Sequence, residues 1–417
     1  MFGPHRVDHF RGLLPRYYLF RVTNTSGFFL PVSIIVLQDK GFDLGFIGLA
    51  YGVYAAAKLA AEIPTGYAGD LLGRRTSLAV GSIVRAFVIG SYPFINSTEA
   101  YLAVHVLWAV GRTFQSGTQN AWLYEILQAR FDEDQFARIE SRGNTAKLLT
   151  DSVTAITGGV LYSIDVAYPF VGTALIALVG VPVLYSFPSV DDLILDTGDD
   201  IEETQTLTVR RAVRLLRVQV WKPNIRWFVL FSAVFYSLFV VTRIYEQPAL
   251  DVIGVSVVEF GVLYAGFKLF SAVAASGVGR VHDLLGTEGV LAAMVPIYAV
   301  AYASIAVVPA LVVPVLFVNR GLHTITSPVT NQYLNAHIDD MGRATVLSGA
   351  WMILALVGSG ARVLAGRATE MFGPVGFLPW AGVGLSILGA VVWVLTSPVR
   401  THADNEASRQ AEGFAPN

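Results

Sequence analysis

The chain has no cysteine, so disulfides and zinc–thiolate centres are excluded, and the redox compartment leaves no trace in the sequence. Charge is scarce: Asp, Glu, Lys and Arg make up 14% of residues, against about 25% in ordinary soluble domains. No nucleophile–base motif, phosphate-binding loop or metal-ligand cluster is present, and the seven histidines are scattered. Enzymatic chemistry, a cofactor and a bound metal are therefore not expected. Nothing resembles an ion-selectivity filter, which argues against a channel. No cleavable leader is evident, because the first apolar run, Leu13 to Leu37, has full span length and carries Arg21 and Asn24.

What fills the chain instead is apolar sequence. Hydrophobic residues reach 54% and the mean hydropathy is +0.55. A bilayer core takes about 20 apolar residues per helix, and runs such as Val290 to Val308 or Gly376 to Thr396 meet that length without an acid or a base. Twelve spans are expected, near 14–38, 44–67, 76–95, 99–126, 143–163, 168–190, 225–249, 257–279, 288–308, 310–335, 345–366 and 372–396. An even number places both termini on one side. The loops of that side carry Arg74, Arg75, Arg138, Arg142, Arg210, Arg211, Arg214, Arg217 and Arg280, while the opposite loops carry Lys40 and Arg367. The positive-inside rule then makes both termini cytoplasmic.

The longest interruption splits the spans six and six. It places a first bundle at 1–190, a linker at 191–224, a second bundle at 225–400 and a tail at 401–417. The linker opens with the acidic run Asp191 to Glu203 and continues as Val209-Arg-Arg-Ala-Val-Arg-Leu-Leu-Arg-Val218, whose spacing suits a helix lying on the inner leaflet or a soluble linker helix. The halves echo each other: Tyr54 and Lys58 recur as Tyr264 and Lys268, and Asp70-Leu-Leu-Gly73 recurs as Asp283-Leu-Leu-Gly286. Parallel repeats of this kind place a solute site at their interface near the midplane.

Gly66-Tyr-Ala-Gly-Asp70-Leu-Leu-Gly73-Arg74-Arg75-Thr-Ser-Leu78 resembles the signature of the major facilitator superfamily between helices 2 and 3, with the Asp, the second Gly and both cations in register. It departs at Ala68 and Leu71, where the family carries Leu and Arg. The resemblance covers about residues 14 to 396 and implies an all-α integral membrane protein of twelve transmembrane helices in two pseudo-symmetric six-helix halves. It also implies a gating role for Gly66, Asp70, Gly73, Arg74 and Arg75, with Asp283 in the second copy; Glu125, at the depth of Arg74, is the candidate partner. Arg112-Thr-Phe-Gln115-Ser-Gly117 resembles the family's Arg-x-x-Gln-Gly element with one residue inserted. Span 5 offers Gly158-Gly159 but lacks the proline of the antiporter motif. Glu62-x-Pro64-x-Gly66, with Ser116-Gly117, Ala121 and Tyr124, resembles the drug-exporter branch.

Charges inside the spans are the other guide, because each is costly in a bilayer and marks a functional position by default. Helices 1, 4, 7 and 10, which line the cavity in this family, carry Arg21, Arg112, Arg243 and Arg320, a set suited to an anionic group. Arg21 and Arg243 lie near span ends, where they can instead snorkel to the interface. Acids that could couple transport to protons are Asp151, with Lys147 one turn earlier, Glu246 and Glu62. An i,i+4 pair with Lys147 would keep Asp151 ionised, so a static ion pair stands equally beside a proton carrier. Phe228, Phe231, Phe235 and Phe239 recur at helical spacing, a pattern of packing or lipid contact. Trp108, Trp122 and Tyr124 have a better claim on the cavity, although packing is the expected role for any single one of them.

The expectation is a secondary transporter working by alternating access in the cell membrane, first as proton-linked export of a drug-like or amphipathic compound. The alternatives are uptake or exchange of an organic anion through the arginine-lined cavity, or a non-transporting receptor or scaffold on the same fold. Its expected partners are a small-molecule solute, protons and membrane lipids, with no nucleic acid, and the expected state is a monomer.

Overall fold

Every regular element among the described residues of the computed structural model, 4–130, 135–187, 222–338 and 343–399, is helical. The Asp70 side chain, the linker segment 209–218 and the tail 401–417 lie outside the described residues. The chain forms two compact units, Met1–Thr204 with Leu250–Leu269, and Gln205–Ala249 with Phe270–Asn417. In the first unit α1 is Pro4–Thr23, α2 Ile35–Asp39, α3 Leu44–Leu72, α4 Arg74–Ser91, α5 Thr98–Ser116, α6 Thr118–Arg130, α7 Phe136–Ile164 and α8 Tyr168–Tyr185. Helix α3 packs on α5, α4 on α5 and α8, and α1 on α7 and α8. Then come α9, Pro223–Val252, and α10, Val257–Val307, whose residues to Leu269 belong to the first unit. The second unit continues with α11, Val312–His337, α12, Arg343–Phe372, and α13, Pro374–Thr396.

Local chemistry sets these boundaries. The Asp43 carboxylate accepts from the Phe46 amide at 2.6 Å and starts α3, and the Ser97 hydroxyl does the same for α5 through the Ala100 amide at 3.2 Å. Ser256 and Glu259 cap α10 reciprocally: the Ser256 amide donates to Glu259 Oε2 at 2.7 Å, and the Glu259 amide donates back to the Ser256 hydroxyl at 3.4 Å. Between α3 and α4 the chain turns at Gly73, with φ +79° and ψ 153°, a region open to glycine and strained for other residues. Gly286 adopts nearly the same conformation, φ +63° and ψ 177°, inside the long α10. Gly41 and Gly254, before α3 and α10, also share a positive φ, and the same sequence interval separates both pairs. In that register Asp70-Leu-Leu-Gly73 and Asp283-Leu-Leu-Gly286 are equivalent, whereas Tyr54 and Lys58 fall three residues out of step with Tyr264 and Lys268.

Among the described residues, eight helices are long and apolar enough to cross a membrane. One of them, α10, covers two of the expected spans on either side of the Gly286 kink. The expected span 99–126 is divided at Gly117 into α5 and α6. Span 14–38 requires a correction: it is not one helix. Helix α1 stops at Thr23, and the chain runs irregularly to a 3-10 turn at Leu30–Val32 before α2. The cause is the run Thr23-Asn24-Thr25-Ser26-Gly27, whose side chains bond the backbone in competition with the helix. The Thr23 hydroxyl and the Asn24 amide both donate to the Phe20 carbonyl, at 2.8 and 3.3 Å.

The interrupted segment is clamped on α7 by close backbone approach. A Cβ at Gly158 would stand 2.7 Å from the Phe28 Cα, so only glycine fits there. Below it, Tyr17, Phe20, Trp122, Ile126, Ile139 and Phe187 form the apolar core of this unit. Trp122 takes the packing role rather than the cavity one: it is 1% exposed and packed edge-on against Phe20 and Phe187. Trp108 sits among Tyr54, Phe29, Tyr92 and His105, and Tyr124 lies half-exposed against Phe136.

Candidate functional site

Where α1 stops, peptide groups lose their helical partners, and in a membrane only other protein groups can replace them. Two charged side chains do so. Asp151 on α7 is 2% exposed; its Oδ1 accepts from the Thr25 hydroxyl and from the Ser26 amide, each at 2.9 Å. Arg85 on α4 donates to the Thr25 carbonyl and, at 3.3 Å, to the Asn24 side-chain oxygen. Asp151 Oδ2 then takes two ammonium groups, Lys147 at 2.6 Å and Lys268 of α10 at 3.4 Å. The carboxylate is buried, yet the lysine side chains above it are 28% and 31% exposed.

The second unit holds another buried acid. Glu246 on α9 is 1% exposed; Oε2 accepts from Arg320 of α11 at 2.6 Å, and Oε1 lies 3.6 Å from Arg243, one turn earlier on α9. Two of the four arginines expected to face a solute are thus engaged by one carboxylate. A third, Arg21, is buried and donates to the Asn144 side chain on α7. Arg112, the fourth, is exposed on α5, while Gln115 is buried and donates to the Ser82 hydroxyl on α4 at 3.2 Å.

The second unit also contains a partly open pocket of about 410 Å³, counting space continuous with solvent, walled by Phe231, Phe235, Tyr236, Tyr298 and Trp351 and lined by Ser232, His323, Thr326, Ser327 and Thr330. Phe235 and Tyr298 stack with centroids 5.5 Å apart, and Trp351 meets Tyr236 edge-on. The His323 ring lies flat on Phe239, 3.6 Å away. The buried Ser232 hydroxyl has no hydrogen-bond partner among the described residues. Aromatic walls with a few polar groups suit an organic ligand with a flat apolar body. The phenylalanine stripe of α9 is packed, with Phe228 and Phe231 at 0% and Phe235 at 2% exposure, and the last two also border the pocket.

In the loop motif, Arg74 Nε donates to Glu125 Oε1 of α6 at 3.1 Å. Arg75 donates to the Phe187 carbonyl at 2.9 Å and lies 5.0 Å from the Tyr185 ring centroid, which ties the start of α4 to the end of α8. Gly66 is open to its surroundings, and Asp283 and Glu62 are exposed. Sequence reasoning missed Thr25, Ser26 and Lys268 as partners of Asp151, and Arg85 as the partner of the Thr25 carbonyl. The available signal was the small polar run 23–27 facing an intramembrane arginine.

The sequence profile of the Major Facilitator Superfamily matches residues 18–351. The chain belongs to this superfamily. An uncharacterized MFS-type transporter of Bacillus subtilis, YxaM, is 28% identical over 245 residues, which cover 57% of this chain and 58% of that one. A second such protein, of Methanocaldococcus jannaschii, is 20% identical over 266 residues, covering 62% and 65%. The matched stretch thus spans less than two thirds of either relative's length. A crystal structure of the nucleoside transporter NupG aligns with a TM-score of 0.72 at 13% identity, covering 92% of this chain and 97% of that chain. That likeness establishes the superfamily fold.

Proposed function

We propose that this superfamily member is a secondary active transporter that moves a small amphipathic organic compound across the cell membrane by alternating access, in the direction of proton-linked export. The aromatic-walled pocket of the second unit carries the reading of an organic solute, and the unpartnered Ser232 hydroxyl marks a point where that solute can bond. Membership of the superfamily and the recurring Gly73 and Gly286 turns support twelve spans in two related halves. The cation bias of the loops supports cytoplasmic termini. In this reading the Arg74–Glu125 pair makes and breaks as the gate moves, and proton linkage falls to Asp151 or Glu246.

The test is flux in proteoliposomes across an imposed pH gradient, with a panel of lipophilic dyes and drugs. Gradient-dependent movement that slows in Phe235→Ala supports the proposal; no movement of any panel compound in either direction, from protein that is folded, sinks it. The same absence of flux combined with ligand binding would favour the receptor. Uptake or exchange of an organic anion is the second reading. The engagement of Arg243 and Arg320 by Glu246 weakens its arginine-lined form, and the exposure of Arg112 keeps it in play.

A further inference from the structure

We propose that the basic cluster around Asp151 is an anion-binding site that takes the carboxylate or phosphate group of a solute, with Lys147 and Lys268 as the direct ligands. The charge count comes first. Three cations, Lys147, Lys268 and Arg85, gather on the Asp151 carboxylate and its neighbouring backbone. Arg112 lies within electrostatic range of Arg85 and adds to the same field. Cations gathered in this way favour an anion that enters among them.

Geometry points the same way. Both ammonium groups contact the same oxygen, Oδ2, which places them within about 6 Å of each other. That separation lets one carboxylate or phosphate bridge the two, since each ammonium has three donors. Exposure separates the roles. Asp151 is sealed beneath, with Oδ1 committed to Thr25 and Ser26, so it orients the lysines and cannot itself meet a solute. The lysine side chains retain about a third of their surface. At Glu246, by contrast, Arg320 is enclosed with the acid and only Arg243 is partly open, so no pair of accessible cations faces one carboxylate there.

This inference rests on the reading of the protein as a solute carrier, and names the acidic group as part of what it carries. The experiment measures thermal stabilisation of the purified full-length protein by benzoate, by its uncharged counterpart benzamide, and by inorganic phosphate, because a ligand of the folded state raises apparent stability by mass action. Benzoate should stabilise and benzamide should not. Lys147→Gln and Lys268→Gln should each weaken benzoate binding about tenfold, the scale of a charge-assisted contact. Asp151→Asn should do the opposite and tighten it several-fold, because the amide oxygen still accepts from Ser26 while one competing negative charge disappears. A merely damaged bundle would lose affinity in all three variants. Phosphate acting as well as benzoate would assign the site to anions in general; benzoate acting alone would assign it to organic acids. Stabilisation by neither anion, or equal benzoate affinity in the wild type and both lysine variants, overturns the proposal. The transport reading fails separately, on absent flux in protein that still binds benzoate.

Discussion

Asp151 and Glu246 are the two sealed acids among the described residues, each held by two cations, and they do different work. Glu246 meets Arg320 and Arg243 from α11 and α9; Arg320 is enclosed with the acid, whereas Arg243 is 28% exposed. That pair is closed, and it joins two helices of the second unit. Asp151 faces a broken helix: half of its carboxylate completes the backbone at Thr25 and Ser26, and the other half gathers lysines that remain accessible. A buried charge is thus no guide to function by itself. What separates the two clusters is that Glu246 keeps one enclosed counter-charge, Arg320, while both counter-charges of Asp151 stand partly open.

The sharpest way to break the comparison is to remove one partner from each cluster. Glu246→Ala strands Arg320 in the interior, and loss of one member of a buried pair costs about 3–5 kcal/mol. The expected outcome is a large fall in melting temperature, with much of it recovered in the double variant Glu246→Leu with Arg320→Met, where the only cation to lose this carboxylate is the partly exposed Arg243. Failure of the double variant to recover would mean that the acid has a role beyond this pair. Asp151→Ala should cost less, about 1–3 kcal/mol for the orphaned Ser26 amide, because its lysines reach polar surroundings without it. Equal losses in the two alanine variants would erase the distinction between closed and open clusters.

Backbone approach offers a control that leaves charge untouched. Gly158→Ala drives a Cβ into the Phe28 backbone, which cannot swing aside, and overpacking of this kind costs about 1–3 kcal/mol. The same change at Gly66, where nothing stands within 4 Å, should leave the melting temperature nearly unaltered. Smallest in stability is the half-exposed Arg74–Glu125 pair, for which a double-mutant cycle with alanines should return about 0.2–1 kcal/mol. Its proposed importance is kinetic, so Arg74→Ala should slow proteoliposome flux while melting stays close to wild type. Normal flux in that variant would leave Arg74 an ordinary surface cation.

Much of this was legible in the sequence, and the failures are local. The Lys147–Asp151 pair follows from helical spacing, and Arg74 with Glu125 from their common depth along neighbouring helices. The turn at Gly73 and its repeat at Gly286 follow from the matching tetrapeptides. Span 14–38 was misjudged as continuous because total hydrophobicity dominates a window that long, hiding five small polar residues able to bond their own backbone. Packing was the expected role for any one of the three aromatics of span 4, but that Trp122 in particular takes it was not legible, because helix membership alone does not say which way a side chain faces.

The length and order of the apolar runs by themselves determined that this chain is a helical membrane protein, and the Gly66–Leu78 motif carried the resemblance to the superfamily, since hydrophobic length and the placement of glycine turns act along the chain and need no knowledge of neighbours. Tertiary structure alone decided which charges meet. Lys268 reaches Asp151 from more than a hundred positions away, Arg320 reaches Glu246 across two helices, and Arg112 is left exposed. Ion pairing depends on distance and burial in three dimensions, and neither quantity is written in the spacing of residues along one helix.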